Sequence, residues 1–382
     1  MKRKTRGGTM EDLKLKNKID AYIDAHQADY VSLLFAIASL PSPTGNEAKK
    51  AAFILKTLQD MGAEAAHLDA VGNVVYPYQL DKGEEKPILY TAHMDTVFEG
   101  VDEIVPEIDG HIMKAPSIGD NSSNVAALLF LIRMFHELKL HVPAIFCFNV
   151  GEEGLGNLRG AHQLMENWQE KIRAFIAVDG DSERFVNEAV GSHRYAVHVV
   201  TPGGHSFANF GKKNAIAAAS AIIEEFYDLS VPHTPKTTYN VGTIQGGRTV
   251  NAIAADVEFT VDMRSVSMTE LQKLDAAFMD ILKRHEATDV TLETLLLGKR
   301  PCGDGPLQDE IYERIMRIRR REGKMTKWAA SSTDANIALS RGLPAMAFGV
   351  GHEKGVHTLD EELDLTSLAP GLKQLAAFIL NI

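Results

Sequence analysis

Cysteine is nearly absent: Cys147 and Cys302 are the only two in 382 residues, which excludes a disulfide framework and any CxxC metal or redox motif. Cys147 falls in the apolar run Ala144 to Val150 and reads as a small buried hydrophobe, so a reducing cytoplasm is the expected setting. Long hydrophobic runs are missing as well. The longest strongly apolar one, Val125 to Ile132, falls far short of the roughly 20 residues that a spanning helix needs, and no membrane partner is expected. Nor is there an excess of positive charge. A formal charge of -11 argues against a nucleic-acid partner, because phosphate binding draws on clustered Lys and Arg. The basic run Arg317 to Arg321 sits in a helical pattern and reads as a solvated face. The opening Met1 to Met10 is basic, but Glu11, Asp12, Lys14 and Lys16 follow in place of an apolar segment. It is therefore not read as a signal peptide, and Met10 would serve equally well as the native start.

What is present is the composition of an ordinary globular protein, 45% hydrophobic and 24% charged. The length exceeds the size at which single cores stop growing, so two domains or one domain with a large insertion is the starting expectation. Helical patterns around Leu13 to Ala25 and Tyr30 to Leu40 break at Pro41-Ser42-Pro43. Thr44 and Glu47 then have the spacing of a capping box, which predicts a helix from about Asn46 to Met61. Strand patterns at Pro87 to Ala92, Ala144 to Val150 and Phe175 to Val178 alternate with a helix at Ser122 to Leu138. That rhythm predicts an α/β catalytic domain with a mixed, largely parallel sheet. From about Gly191 the texture changes: Tyr195 to Val200, Thr237 to Ile244 and Asp256 to Met263 alternate as half-buried strands, with helical stretches at Ala215 to Tyr227 and Thr269 to His285. An inserted α+β unit of ferredoxin-like kind is expected over residues 191–303, between catalytic segments 1–190 and 304–382, with the α/β texture returning after about Pro306.

Acidic and histidine residues collect at the ends of the predicted strands, where α/β sheets present their ligands. In Thr91-Ala92-His93-Met94-Asp95, residues two apart share a face, so Asp95 can orient the His93 ring, although a polar loop end gives the same pattern. Asp120 in Gly119-Asp120-Asn121-Ser122 is a possible metal ligand or a helix cap. Glu152 and Glu153, flanked by glycines, are costly to hold together unless a cation or proton separates them, though a solvated turn is the simpler reading. Asp179 follows a strand in an Asp-Gly pair that also suits a turn. His352 and His357 both lie in the last α/β segment. Two Zn2+ ions would bring four positive charges, balanced by Asp120, Glu153, Asp179 and a bridging hydroxide. Ions sharing a carboxylate act on nucleophile and substrate oxygen together, and Glu152, outside the metal set, stands where a general base belongs.

The ordered set His93-x-Asp95, Gly119-Asp120-Asn121, Glu152-Glu153, Val178-Asp179, Gly203-Gly204-His205-Ser206, Asn251 with Arg264, Ser332-Thr333-Asp334-Ala335-Asn336 and His357 resembles a known family. It is that of the co-catalytic zinc peptidases and deacylases, which includes carboxypeptidase G, peptidase T, aminoacylase and acetylornithine deacetylase. The resemblance implies that His93 and Asp179 hold one zinc, Glu153 and His357 the other, and that Asp120 bridges them, with Co2+ or Mn2+ as possible replacements. It further implies that Asp95 orients His93, that Glu152 moves the proton, and that the inserted unit is a lid and dimerisation domain whose His205 reaches the active site of the partner in a homodimer. Many relatives have Asp and Lys after the bridging Asp. Here Asn121, Ser122 and Ser123 follow it, with Asn121 still able to cap the next helix.

Asn240 matches a lid asparagine that relatives use near the substrate, and Arg264 and Arg300 are candidate carboxylate clamps, since a guanidinium suits bidentate contact. The reading that follows is a cytoplasmic di-zinc exopeptidase of short peptides. A deacylase of N-acyl amino acids uses the same chemistry, and a non-catalytic binding protein retaining the fold is the alternative of another class.

Overall fold

The computed structural model describes residues 10–80, 86–304 and 309–382. The basic opening segment, residues 1–9, and Pro306, where the α/β pattern was expected to resume, lie outside the described residues. The chain divides into two compact units, Met1–Glu188 with Asp304–Ile382, and Ala189–Gly303.

The first unit is built on a mixed sheet. At its centre Ala144–Asn149, Ile88–His93, Ala174–Ala177 and Ala345–Ala347 lie side by side and parallel. Every residue of these four strands is buried, which is why they read as unbroken apolar runs: helices cover both faces of a parallel sheet. Val74–Tyr78 joins antiparallel beside Ala144–Asn149, and Arg184–Ala189 pairs antiparallel with Ala345–Ala347. The helix Asn124–Glu137 is buried without interruption from Asn124 to Ile132, so the run Val125 to Ile132 is the heart of this core. Helix Ala48–Asp60 is amphipathic, with Ala51, Ile54 and Leu58 turned inward at helical spacing. Among the described residues no helix is long and apolar enough to cross a membrane.

Three local expectations are corrected here. The Thr44–Glu47 capping box does not form: the helix starts at Ala48 without a side-chain cap, and the Thr44 hydroxyl instead donates to Asp95 Oδ2 at 2.9 Å. Asn121 does not cap the following helix. Its Nδ2 donates to the Val178 carbonyl at 3.0 Å, and its Oδ1 accepts from Asn124. The run Arg317 to Arg321 is not uniformly solvated: Arg319 is buried, lies over the Phe185 ring and donates to Gln374 Oε1 and the Met325 carbonyl. A long guanidinium side chain can be buried when its fork finds acceptors and its plane finds an aromatic face.

A small antiparallel sheet in the same unit runs in the order Glu353–Lys354, Glu362–Asp364, Ile112–Lys114, Glu107–Asp109. It fastens the segment leading into Asp120 to the segment that carries His357.

The second unit has the order β-α-β-β-α-β. Its strands, Thr237–Gly246, Asp256–Ser265, Gly191–Val200 and Thr291–Arg300, lie side by side in that order, all antiparallel. Val257, Phe259, Val261 and Met263 alternate inward and pack with residues of the helices Ala215–Tyr227 and Met268–His285. The first of these helices is capped by Asn214, whose Oδ1 accepts the Ile216 and Ala217 N–H groups.

Candidate active site

The four parallel strands all deliver candidate side chains at their carboxyl ends. His93 is the last residue of its strand, Glu152 and Glu153 follow the strand ending at Asn149, Asp179 follows the one ending at Ala177, and the loop to His357 follows Ala347. Asp120 comes from an irregular turn, Ile118–Ser123, in which Asp120 and Asn121 leave helical φ/ψ. These origins converge. His93 Nε2 lies 2.9 Å from Asp120 Oδ1, and His357 Nε2 lies 3.2 Å from Asp120 Oδ2, so one carboxylate faces an imidazole with each of its oxygens. His357 Nε2 is also 3.0 Å from Glu153 Oε1, and Asp179 Oδ1 is 3.8 Å from His93 Nε2. His352 is elsewhere, its Nδ1 3.3 Å from Asp181 Oδ2.

Asp95 is the hub beneath this cluster. Its carboxylate accepts the backbone N–H groups of Glu152 at 3.0 Å and Glu153 at 2.9 Å, besides the Thr44 hydroxyl. His93 Nδ1 sits 3.2 Å from the Asp95 carbonyl and 3.6 Å from its carboxylate Oδ1. Both atoms favour the tautomer that leaves Nε2 as the outward-facing nitrogen.

The protonation pattern follows from packing carboxylates and imidazoles together out of water. Burial disfavours a charged His93, yet hydrogen bonds to Asp120 and Asp95 and the charge of Asp179 hold it well above the ordinary histidine range. Contact with Asp120 and Glu153 pushes His357 up to about 10. Burial and the neighbouring Asp120 charge raise Asp179 to about 7. Against its burial, Asp120 is kept well below the usual carboxylate range by the two histidines. The donors are two imidazoles and three carboxylates, with His93, Asp120 and Glu153 offering atoms within 4.8 Å of one another. Nitrogen and carboxylate donors so placed fit first-row divalent ions.

In the second unit, strand register gathers the three residues singled out for substrate. Asn240 is opposite Asp262, Arg264 is opposite Ser192, and Ser192 is opposite Arg300, so all three share one face of the sheet. Arg194, which sequence reasoning missed, joins them. Asp262 bridges Arg194 Nε at 3.1 Å and Arg264 Nε at 2.7 Å, and burial together with the charges of Arg300 and Arg264 lowers the Arg194 pKa. His205 is exposed at a short strand pairing with Ala252–Ile253. Its Nδ1 accepts the backbone N–H groups of Phe207 and Ala208, both at 3.3 Å, so the neutral ring carries its proton on Nε2.

Residues 89–381 match the model of the family described as Peptidase family M20/M25/M40. The chain belongs to that family. As an M20-type chain it is a metal-dependent peptidase, and its candidate ligands cluster as such an activity requires. It is 23% identical to the uncharacterized protein YqjE of Bacillus subtilis over 90% of this chain and 95% of that one. The aminopeptidase PepT of Bacillus cereus has a similar fold, with TM-score 0.75 and 22% identity over 93% of this chain and 98% of that one. So does a tripeptidase of Staphylococcus aureus, with TM-score 0.77 and 19% identity over 92% and 97%.

Further polar groups lie around the M20 cluster. Asp334, within the Ser332 to Asn336 motif, is buried and accepts from Asn149 Nδ2 at 2.7 Å. Glu353 and Glu361 are two further acids behind Asp120. Burial and the Asp120 charge push Glu353 up to about 9, and burial raises Glu361 to about 7. Glu361 is buried and Glu353 half-buried, and their chain neighbours are charged and polar, so nothing local marks either as turned inward.

Proposed function

We propose that this chain is a di-zinc exopeptidase of short peptides. The observation that carries the reading is the Asp120 carboxylate, faced by His93 at one oxygen and His357 at the other. His93 and Asp179 would hold one ion, Glu153 and His357 the second, and Asp120 both. Bound there, the ions would supply a water acidified to near neutrality and a Lewis-acid contact for the scissile carbonyl.

The chain's own residues do the rest. Glu152, whose backbone is anchored on Asp95, takes a proton from the attacking water and hands it to the leaving amine. His205 donates from Nε2 to the oxyanion, reaching in from a second copy of the chain, which makes the active form a homodimer. That role is supported by the tautomer and by the exposure of the ring. The guanidinium face of Arg194, Arg264 and Arg300, with Asn240 beside it, receives the substrate carboxylate. Two buried free cysteines suit a cytoplasmic setting.

A panel of di- and tripeptides and N-acetyl amino acids, assayed with Zn2+, Co2+ and Mn2+, tests the reading. Turnover of the peptides supports it. Turnover of the acylated substrates alone makes the chain a deacylase, and no hydrolysis with less than one ion bound per chain makes it a binding protein.

A further inference from the structure

Glu361 is fully buried and belongs to the segment that returns from His357 into the small antiparallel sheet. Its Oε1 accepts the backbone N–H of Gly119 at 2.7 Å and of Asp120 at 2.9 Å. Its own carbonyl accepts the Ala115 N–H at 3.1 Å, just where the neighbouring residues Glu362 and Leu363 pair with Lys114 and Met113.

The backbone at Asp120 needs such an acceptor. Asp120, at φ -106, ψ 83, and Asn121 after it both leave helical angles in the turn that opens at Ile118; the N–H groups of a first turn have no carbonyl of their own helix to meet, and a buried N–H without an acceptor is costly. Gly119 allows the approach: a Cβ there would fall 3.0 Å from Glu361 Oε1 and 2.3 Å from Glu353 Oε2. A carboxylate shared by two ions must satisfy both at once, and a ligand has to be held to within about 0.5 Å.

We infer that Glu361 is a positioning residue of the metal centre, pinning the backbone that aims Asp120 and linking it to the segment that carries His357. The inference rests on the metal-dependent reading of this same site.

Two variants of equal reach test it. Glu361→Met removes the acceptor, and Glu361→Gln restores a neutral one. Zn2+ dissociation constants from chelator competition, the visible absorption of the Co2+-loaded protein and the melting of the metal-free protein would be measured for each. Glu361→Met should weaken metal binding about 10- to 100-fold and alter the Co2+ bands, the usual cost of losing an outer support of a ligand, while Glu361→Gln stays close to wild type. Wild-type affinity in Glu361→Met overturns the inference, even if its metal-free form melts lower, because the role would then be only structural. Equal losses in both variants overturn it too, since charge and not N–H acceptance would be the contribution. If Glu361→Met does not fold, Glu361→Asp, which withdraws the carboxylate by one methylene, takes its place: weakened binding supports the inference and wild-type affinity overturns it. A wild-type protein that binds no divalent ion overturns the metal reading itself, a result distinct from a variant that binds as well as wild type.

Discussion

Asp95 Oδ2 accepts the backbone N–H of Glu153 at 2.9 Å while its Oδ1 accepts that of Glu152 at 3.0 Å, so one buried carboxylate sets the turn carrying both a candidate ligand and the candidate base. Replacing Asp95 with Ala leaves two buried N–H groups without their acceptor, each at a cost of about 1–3 kcal/mol. Asp95→Ala should therefore melt at a lower temperature than wild type and turn over more slowly. An unchanged melting temperature in the metal-free protein would show that the turn holds its shape without Asp95.

Glu152 and Glu153 are neighbours with different expected losses. Glu152→Ala should lower kcat by about 100- to 10,000-fold, the usual contribution of a positioned acid or base, and keep its metal. Glu153→Ala should lose metal. Elemental analysis beside steady-state rates separates the two, and loss of metal from Glu152→Ala would exchange their assignments.

His205→Ala should lower kcat by about 100- to 1,000-fold, the loss seen when one oxyanion donor is removed, with metal content unaffected. If the ring acts from a second copy, mixing His205→Ala with Glu152→Ala chains should form heterodimers holding one site with both residues intact. Recovery of activity on mixing is the expected result. No recovery, despite subunit exchange, would place His205 in the site of its own chain or outside catalysis.

Lys50 is buried in helix Ala48–Asp60, and burial lowers its pKa to about 8, with the Asp95 charge only partly opposing the shift. The unfolded chain, with a lysine pKa near 10.5, binds more protons than the folded one between these values, so stability rises with pH across that window. The penalty is fully present below about pH 8 and amounts to about 3 kcal/mol. Lys50→Met should thus be more stable than wild type at pH 7.5, with the gap closing toward pH 10.5. Urea unfolding at both pH values measures it, and a gap independent of pH would mean that Lys50 holds its proton as tightly in the folded protein as in the unfolded chain.

Much of the architecture is legible in local pattern. The period-two run Val257, Phe259, Val261 and Met263, the helical spacing of Ala51, Ile54 and Leu58, and the buried strands ending at His93, Asn149 and Ala177 all follow from where apolar side chains must point. Residue type narrowed the site as well, since paired acids and histidines just past strand ends are expensive unless something holds them. What local pattern could not decide was which partner each polar group takes. The Thr44 hydroxyl turns from the nearby helix start to Asp95, 51 residues away, and Glu361 reaches back 242 residues to Gly119. Arg319 is buried because Phe185 and Gln374 wait for it. His352 and His357 are equivalent as letters, and only the fold sets one against Asp181 and the other against Asp120 and Glu153. Hydrophobic burial is written in the sequence as a period, because it needs only a direction. A hydrogen bond needs a specific atom about 3 Å away, and only the closed chain brings that atom into place.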